Sequence, residues 1–171
     1  GLKVINQPEK QWLEKRMSGK SVMQIGFLAH YAFVGCRDSL FIFNLTTKKQ
    51  TQAYSKQAIG NIIQIKQLQN TIWIVTQKAV FKWLNNQLVS IPYNPKQGTI
   101  FDITNYNGTI IAVTYPQGKI ETLTGSSFTV NESLTKSANP ISAPLLCIAS
   151  KNDTLAIGGD GFYSVFANGK I

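Results

Sequence analysis

Apolar residues in this chain come in short runs of strand length, and the runs recur as sets. Val22-Met23-Gln24-Ile25 is followed by Tyr31-Ala32-Phe33-Val34-Gly35 and then Leu40-Phe41-Ile42-Phe43. The same succession returns as Ile62–Ile65, Ile72–Thr76 and Val80–Trp83, as Ile100–Ile103, Ile110–Thr114 and Lys119–Leu123, and as Leu145–Ile148, Leu155–Gly159 and Phe162–Phe166. Ile25, Ile65, Ile103 and Ile148 hold equivalent places, with spacings of 40, 38 and 45 residues. The runs are β-branched and aromatic, and Val80-Phe81-Lys82-Trp83-Leu84 alternates with period two. Turn signals separate them: Asn107-Gly108, Gln117-Gly118, Asn152-Asp153, Gly159-Asp160-Gly161 and Asn168-Gly169. A polar stretch closes each complete unit, at Gln50–Tyr54, Gln87–Ile91 and Ser127–Asn131.

A period near 40 with four short strands per unit predicts an all-β chain of β-propeller blades. The units are placed at 21–57, 61–93, 99–131 and 143–171, the last incomplete, with 1–20 supplying outer strands of a further blade. That makes about four to five blades in a single domain, or a segment of a larger propeller. Gly1–Ile5 aligns with third strands, so the chain reads as a piece that starts and stops in mid-blade. A leading Gly is read as a tag remnant. Glu9–Met17 is the one stretch that also fits a helix, with Pro8 at its start. Incomplete blades predict self-association.

The 171 residues are 43% apolar and 15% charged, a globular composition with no run long enough for a membrane helix. The net charge is +9, but the lysines are scattered and only Arg16 and Arg37 are arginines. That distribution argues against nucleic acid as a partner, because base and phosphate recognition favours clustered Arg. Cys36 and Cys147 lie inside apolar runs and are read as buried free thiols.

The unit Ile62–Trp83 resembles the two-component regulator propeller repeat. Ile72-Trp73-Ile74-Val75-Thr76 takes the place of that repeat's L-W-I-G-T pattern, and Gly161-Phe162 and Gly1-Leu2 take its G-L place. The resemblance extends over nearly the whole chain. It implies the periplasmic sensor region of a hybrid histidine kinase, detecting saccharides for a membrane receptor. The repeat motif does not specify ligand residues, so none is carried over.

The residues themselves offer little catalytic chemistry. His30 is the single histidine and falls in a turn, with no Ser or Cys elbow beside it. No cluster of His, Cys, Asp and Glu has metal-ligand spacing, and no Gly-rich loop cradles a phosphate, so neither a metal site nor a cofactor is expected. Asp102 and Glu121, supplied by adjacent loops, are the nearest thing to a carboxylate pair. Trp73 and Trp83 read as blade packing. Tyr31, Asp38, Tyr93, Tyr106, Tyr115 and Asp160 sit near strand ends and are the candidate ligand-binding rim, with turn capping the competing role for the two aspartates. The expected function is a non-catalytic ligand-sensing propeller, with a small molecule or oligosaccharide as ligand. The alternatives are a scaffold for a protein partner and a part of a catalytic propeller such as a glycosidase or lyase.

Overall fold

The structure, a computed structural model, describes residues 7–167. A helix, α1 (Gln7–Arg16), opens the described chain. Four antiparallel meanders follow. The first sheet is β1 (Val22–Leu28), β2 (Tyr31–Cys36), β3 (Ser39–Asn44) and β4 (Lys49–Ser55). A single turn, α2 (Lys56–Ile59), leads to β5 (Ile62–Leu68), β6 (Thr71–Thr76), β7 (Val80–Leu84) and β8 (Gln87–Ile91). The third sheet is β9 (Thr99–Tyr106), β10 (Thr109–Tyr115), β11 (Ile120–Thr124) and β12 (Ser127–Val130). A third helix, α3 (Glu132–Ala138), precedes β13 (Leu145–Lys151), β14 (Thr154–Gly159) and β15 (Phe162–Ala167).

Each sheet is a propeller blade. The first strands lie side by side, β1 against β5, β5 against β9 and β9 against β13, and no comparable packing joins β13 back to β1. The described blades therefore form an open arc. Second strands carry the core because they are covered on both faces: all six residues of β6 are buried between two blades, and five of six in β2 between the second blade and α1. Fourth strands face solvent, as β4 shows with no buried residue. Three apolar clusters fill the three gaps between blades. The first and second blades approach closely at Gly26, where an added Cβ would stand 2.5 Å from Ile65 Cγ2.

Register makes the blades comparable position by position. Ile25 pairs with Val34, Ile65 with Ile74, Ile103 with Ala112 and Ile148 with Ile157. The next position outward on this row is Phe41, Phe81, Glu121 and Ser164.

One assignment needs correction. Residues 7–16 are helical, so the outer-strand reading of 1–20 fails there; the Gly1–Ile5 strand lies outside the described residues. Gln, Glu, Lys and Leu favour a helix, and Leu13 and Met17 fall one turn apart on one side. That side packs on the first sheet with Ala32, Val34, Cys36, Phe43 and Leu45, and Trp12 meets Phe43 edge-on at 5.6 Å. The outer surface of α1 is charged, with Lys10 and Glu14 well exposed and 3.9 Å apart. Helix α3 also went unforeseen; Asn131 caps it by accepting from Leu134 N–H at 2.9 Å.

Candidate functional site

A meander sends successive turns to opposite ends of its sheet. The β1–β2 type turns of adjacent blades share one face of the arc. Gln69 Nε2 donates to Asn105 Oδ1 at 3.1 Å and to the Gly108 carbonyl at 2.5 Å, and Tyr106 Oη donates to the Asp153 carbonyl at 3.3 Å. Tyr31 and Tyr106 lie on this face. Asp38, Tyr93 and Asp160 follow second or fourth strands, Tyr115 ends the second strand of its blade, and all four lie on the other. The six candidates therefore do not form one rim.

The second group is mostly structural. Asp38 Oδ1 accepts from Ser39 Oγ at 3.0 Å, and its carbonyl accepts Lys56 N–H. Asp160 N–H donates to the Pro144 carbonyl. Tyr115 is exposed, its ring 5.9 Å from Phe101. Tyr93 packs on the cluster between the second and third blades, and burial with the nearby Glu121 carboxylate pushes its hydroxyl pKa up. His30 is a turn residue whose ring lies 4.4 Å from that of Tyr31.

Tyr106 opens on a cavity of about 500 Å³ between the third and fourth blades. Ile111, Leu134 and Leu155 give it an apolar floor. Asn107 comes from the β9–β10 turn, Thr109 from the start of β10, Thr122 from β11, Asn131 from the cap of α3, and Ser133 and Ser137 from adjacent turns of that helix. No charged side chain lines it. The hydroxyls of Thr109, Ser133 and Ser137 make no side-chain hydrogen bond among the described residues, whereas Thr122 Oγ1 accepts from Asn131 Nδ2 at 3.3 Å. The volume falls within the usual range for a small-molecule site. Only Tyr106 of this set was legible beforehand, because the helix that supplies the serines was not.

A second cleft of about 430 Å³ lies on the same face between the first and second blades. Tyr31 and Trp83 line it, their rings 5.9 Å apart, with the amides of Gln69, Asn70, Asn85 and Asn86. Those four residues take positive φ in their hairpin turns, a conformation Asn tolerates.

Both candidate carboxylates come from strands, not loops. Asp102 pairs with Val113 on the face toward the fourth blade, and Glu121 pairs with Ala112 on the opposite face. Two groups on opposite faces of one sheet do not flank a common bond. Glu121 is buried with neither oxygen hydrogen-bonded, and burial pushes its pKa up to about 7. Of the two thiols, Cys36 is buried as expected, but Cys147 is exposed, since no blade covers its face of the fourth sheet. Trp73 and Trp83 are both buried between blades, as expected. Among the described residues no group of His, Cys, Asp and Glu could hold a metal, and no helix is long and apolar enough to cross a membrane.

No protein-family model matches this chain, and no curated protein matches it by sequence. Solved structures do. The extracellular domain of BT4673 from B. thetaiotaomicron, described as a hybrid two component system, superposes with a TM-score of 0.62 at 16% identity, over 86% of this chain and 21% of that one. BamB from Moraxella catarrhalis gives 0.55 at 14% identity, over 84% and 43%. The β-propeller domain of Cps50 (Swd1) from Myceliophteria thermophila gives 0.54 at 8% identity, over 81% and 48%. At these identities the likeness shows the fold: this chain is built of β-propeller blades. It spans between a fifth and a half of the length of these proteins.

Proposed function

We propose that this chain is a non-catalytic, ligand-binding propeller segment from the sensor region of a signalling receptor, working outside the cytoplasm. The observation that carries the reading is the cavity beside Tyr106. Its uncharged lining combines hydroxyls and amides with an apolar floor, which fits a neutral, hydroxyl-rich ligand of the saccharide class better than an ion or a nucleotide. The likeness to an extracellular domain of a two component system supports the setting. The cavity lies between two blades and against α3, so an occupant would favour one packing of that helix over another, the differential contact a signal requires.

Titration calorimetry with a panel of neutral mono- and oligosaccharides tests this. Binding by at least one is expected, and Ser137→Tyr, which fills the cavity from an exposed helix position, abolishes it without lowering the melting temperature. Absence of binding across the panel, or binding indifferent to Ser137→Tyr, overturns the assignment.

A further inference from the structure

The first and second blades are complete four-stranded sheets, so the cleft between them is bounded by strands and turns of the described chain. Its walls are tied to each other and to the next blade. Gln52 Nε2 of the first blade donates to the Asn86 carbonyl of the second at 2.7 Å, and Gln69 reaches Asn105 and Gly108 of the third. Asn70 holds a φ of 57° where the third blade has Gly108, and Asn85 holds 48° where the third blade has Gly125. Glycine suits that conformation better, so the turns themselves do not call for these carboxamides.

The aromatic wall of the cleft offers polar tips rather than open ring faces. Trp83 is only 5% exposed, because its ring packs edge-on against Phe33 at 5.1 Å and Tyr31 at 5.9 Å. That leaves no flat face on which a sugar ring could stack. Among the described residues the Trp73 indole N–H is the one that is both buried and unpartnered, so the Trp83 N–H, also without a partner, is open to solvent at the cleft. Tyr31 Oη and the carboxamides of Asn70 and Asn85 make no hydrogen bond among the described residues either. Leu28 and Leu84 add an apolar shelf, Leu84 being 47% exposed. No carboxylate lines the cleft, and the Lys82 ammonium lies over the Trp73 ring at 5.3 Å, in the gap toward the third blade.

We propose that the cleft between the first and second blades, at Tyr31 and Trp83, is a docking site for an extended, proline-rich peptide segment with acidic flanks. A polyproline-type chain carries backbone carbonyls with no internal partner, which the indole N–H, the tyrosine hydroxyl and the carboxamides satisfy. Its proline rings and apolar side chains lie against Tyr31 and the leucine shelf. The chain carries a net charge of +9 and the cleft has no acid, so acidic flanks are attracted and basic ones repelled. This site is separate from the cavity beside Tyr106 and does not depend on what that cavity holds.

NMR titration with a synthetic peptide of Pro-x-x-Pro units flanked by glutamates tests it. The chain has three tryptophan indole signals. The one that disappears in Trp83→Phe should shift on titration, while that of the fully buried Trp73 should not. Trp83→Phe keeps a ring against Phe33 but removes the donor, and should weaken binding by about 10-fold. Asn85→Asp, at an exposed turn, should weaken binding of the glutamate-flanked peptide a few-fold and leave the melting temperature unchanged. Ser137→Tyr blocks the other cavity and should leave peptide binding intact, so this inference and the saccharide reading fail separately. No peptide binding, binding that leaves the Trp83 signal unmoved, affinity indifferent to both Trp83→Phe and Asn85→Asp, or a neutral saccharide that moves that signal in place of the peptide overturns the inference.

Discussion

Lys66 of the second blade and Asp102 of the third form an ion pair at the inner edge of the arc, and the same carboxylate reaches the fourth blade. Lys66 Nζ donates to Asp102 Oδ1 and to the Ile103 carbonyl at 2.9 Å. Asp102 Oδ1 also accepts Ile103 N–H at 2.7 Å, and Oδ2 accepts Ile148 N–H at 3.0 Å. One buried side chain thus joins β5, β9 and β13. Asp102→Ala should destabilise by about 3–5 kcal/mol, because it strands an ammonium and two backbone donors. Urea denaturation measures this. Lys66→Ala combined with Asp102→Ala in a double-mutant cycle should show coupling between the two sites, whereas additive losses would mean that the pair contributes nothing of its own.

Glu121 should make stability fall as pH rises. Its folded pKa, about 7, lies above the ordinary 4.5, so the folded chain holds the proton more tightly than the unfolded one. The stabilisation from the protonated form is full below about pH 4.5 and is lost as pH rises to about 7 and just beyond. The span corresponds to roughly 3 kcal/mol. Glu121→Gln should flatten that part of the profile in chemical denaturation at a series of pH values. Phe41 and Phe81 occupy the matching place in the first two blades, so Glu121→Leu should raise stability at pH 8.

Gly26 should not accept a side chain. The Cβ of Gly26→Ala would fall 2.5 Å from Ile65 Cγ2 and 3.3 Å from Ile72 Cδ1, both in the packed gap between blades. A cost of about 1–3 kcal/mol follows from overpacking, read from the thermal unfolding midpoint. Gly125, by contrast, lies in an open turn with nothing within 4 Å, but its φ of 62° makes Gly125→Asn the better tolerated substitution than Gly125→Val.

Removing the cap on the first blade should cost stability. Leu13 is buried against the first sheet, and Leu13→Ala should lose about 2–4 kcal/mol. Increased fluorescence of a hydrophobic dye under native conditions would show that the helix has also lifted. An unchanged unfolding midpoint would mean that α1 contributes no packing energy.

The strand pattern was legible because blades bury whole rows. Ile72-Trp73-Ile74-Val75 is a continuous apolar run, as a strand covered on both faces requires, and β8 runs from Gln87 to Ile91 as its residues predicted. Helix α1 was legible only as one of two readings, since a ten-residue amphipathic stretch with a single buried turn resembles an outer strand as closely. The six rim residues were chosen by their closeness to strand ends, a one-dimensional property that does not tell which end of a sheet a residue occupies. Tyr31 and Tyr106 share a face, while Tyr93 and Tyr115 do not join them. Asp102 and Glu121 fall inside strand-length runs of the sequence, but only the register shows that they lie on opposite faces of the third sheet.

The amino-acid sequence by itself determined the blades: their strands, their period and their turns, all of which depend on neighbours within about 40 residues. The tertiary structure decided what lies across each gap. Lys66 and Ile148 stand 36 and 46 residues from Asp102, Glu121 meets an apolar blade face, and α3 supplies two serines to a cavity beside Tyr106. A period-two pattern records that a face is covered without recording by what, and the same pattern is written into the fourth sheet, where Tyr163 and Val165 remain uncovered.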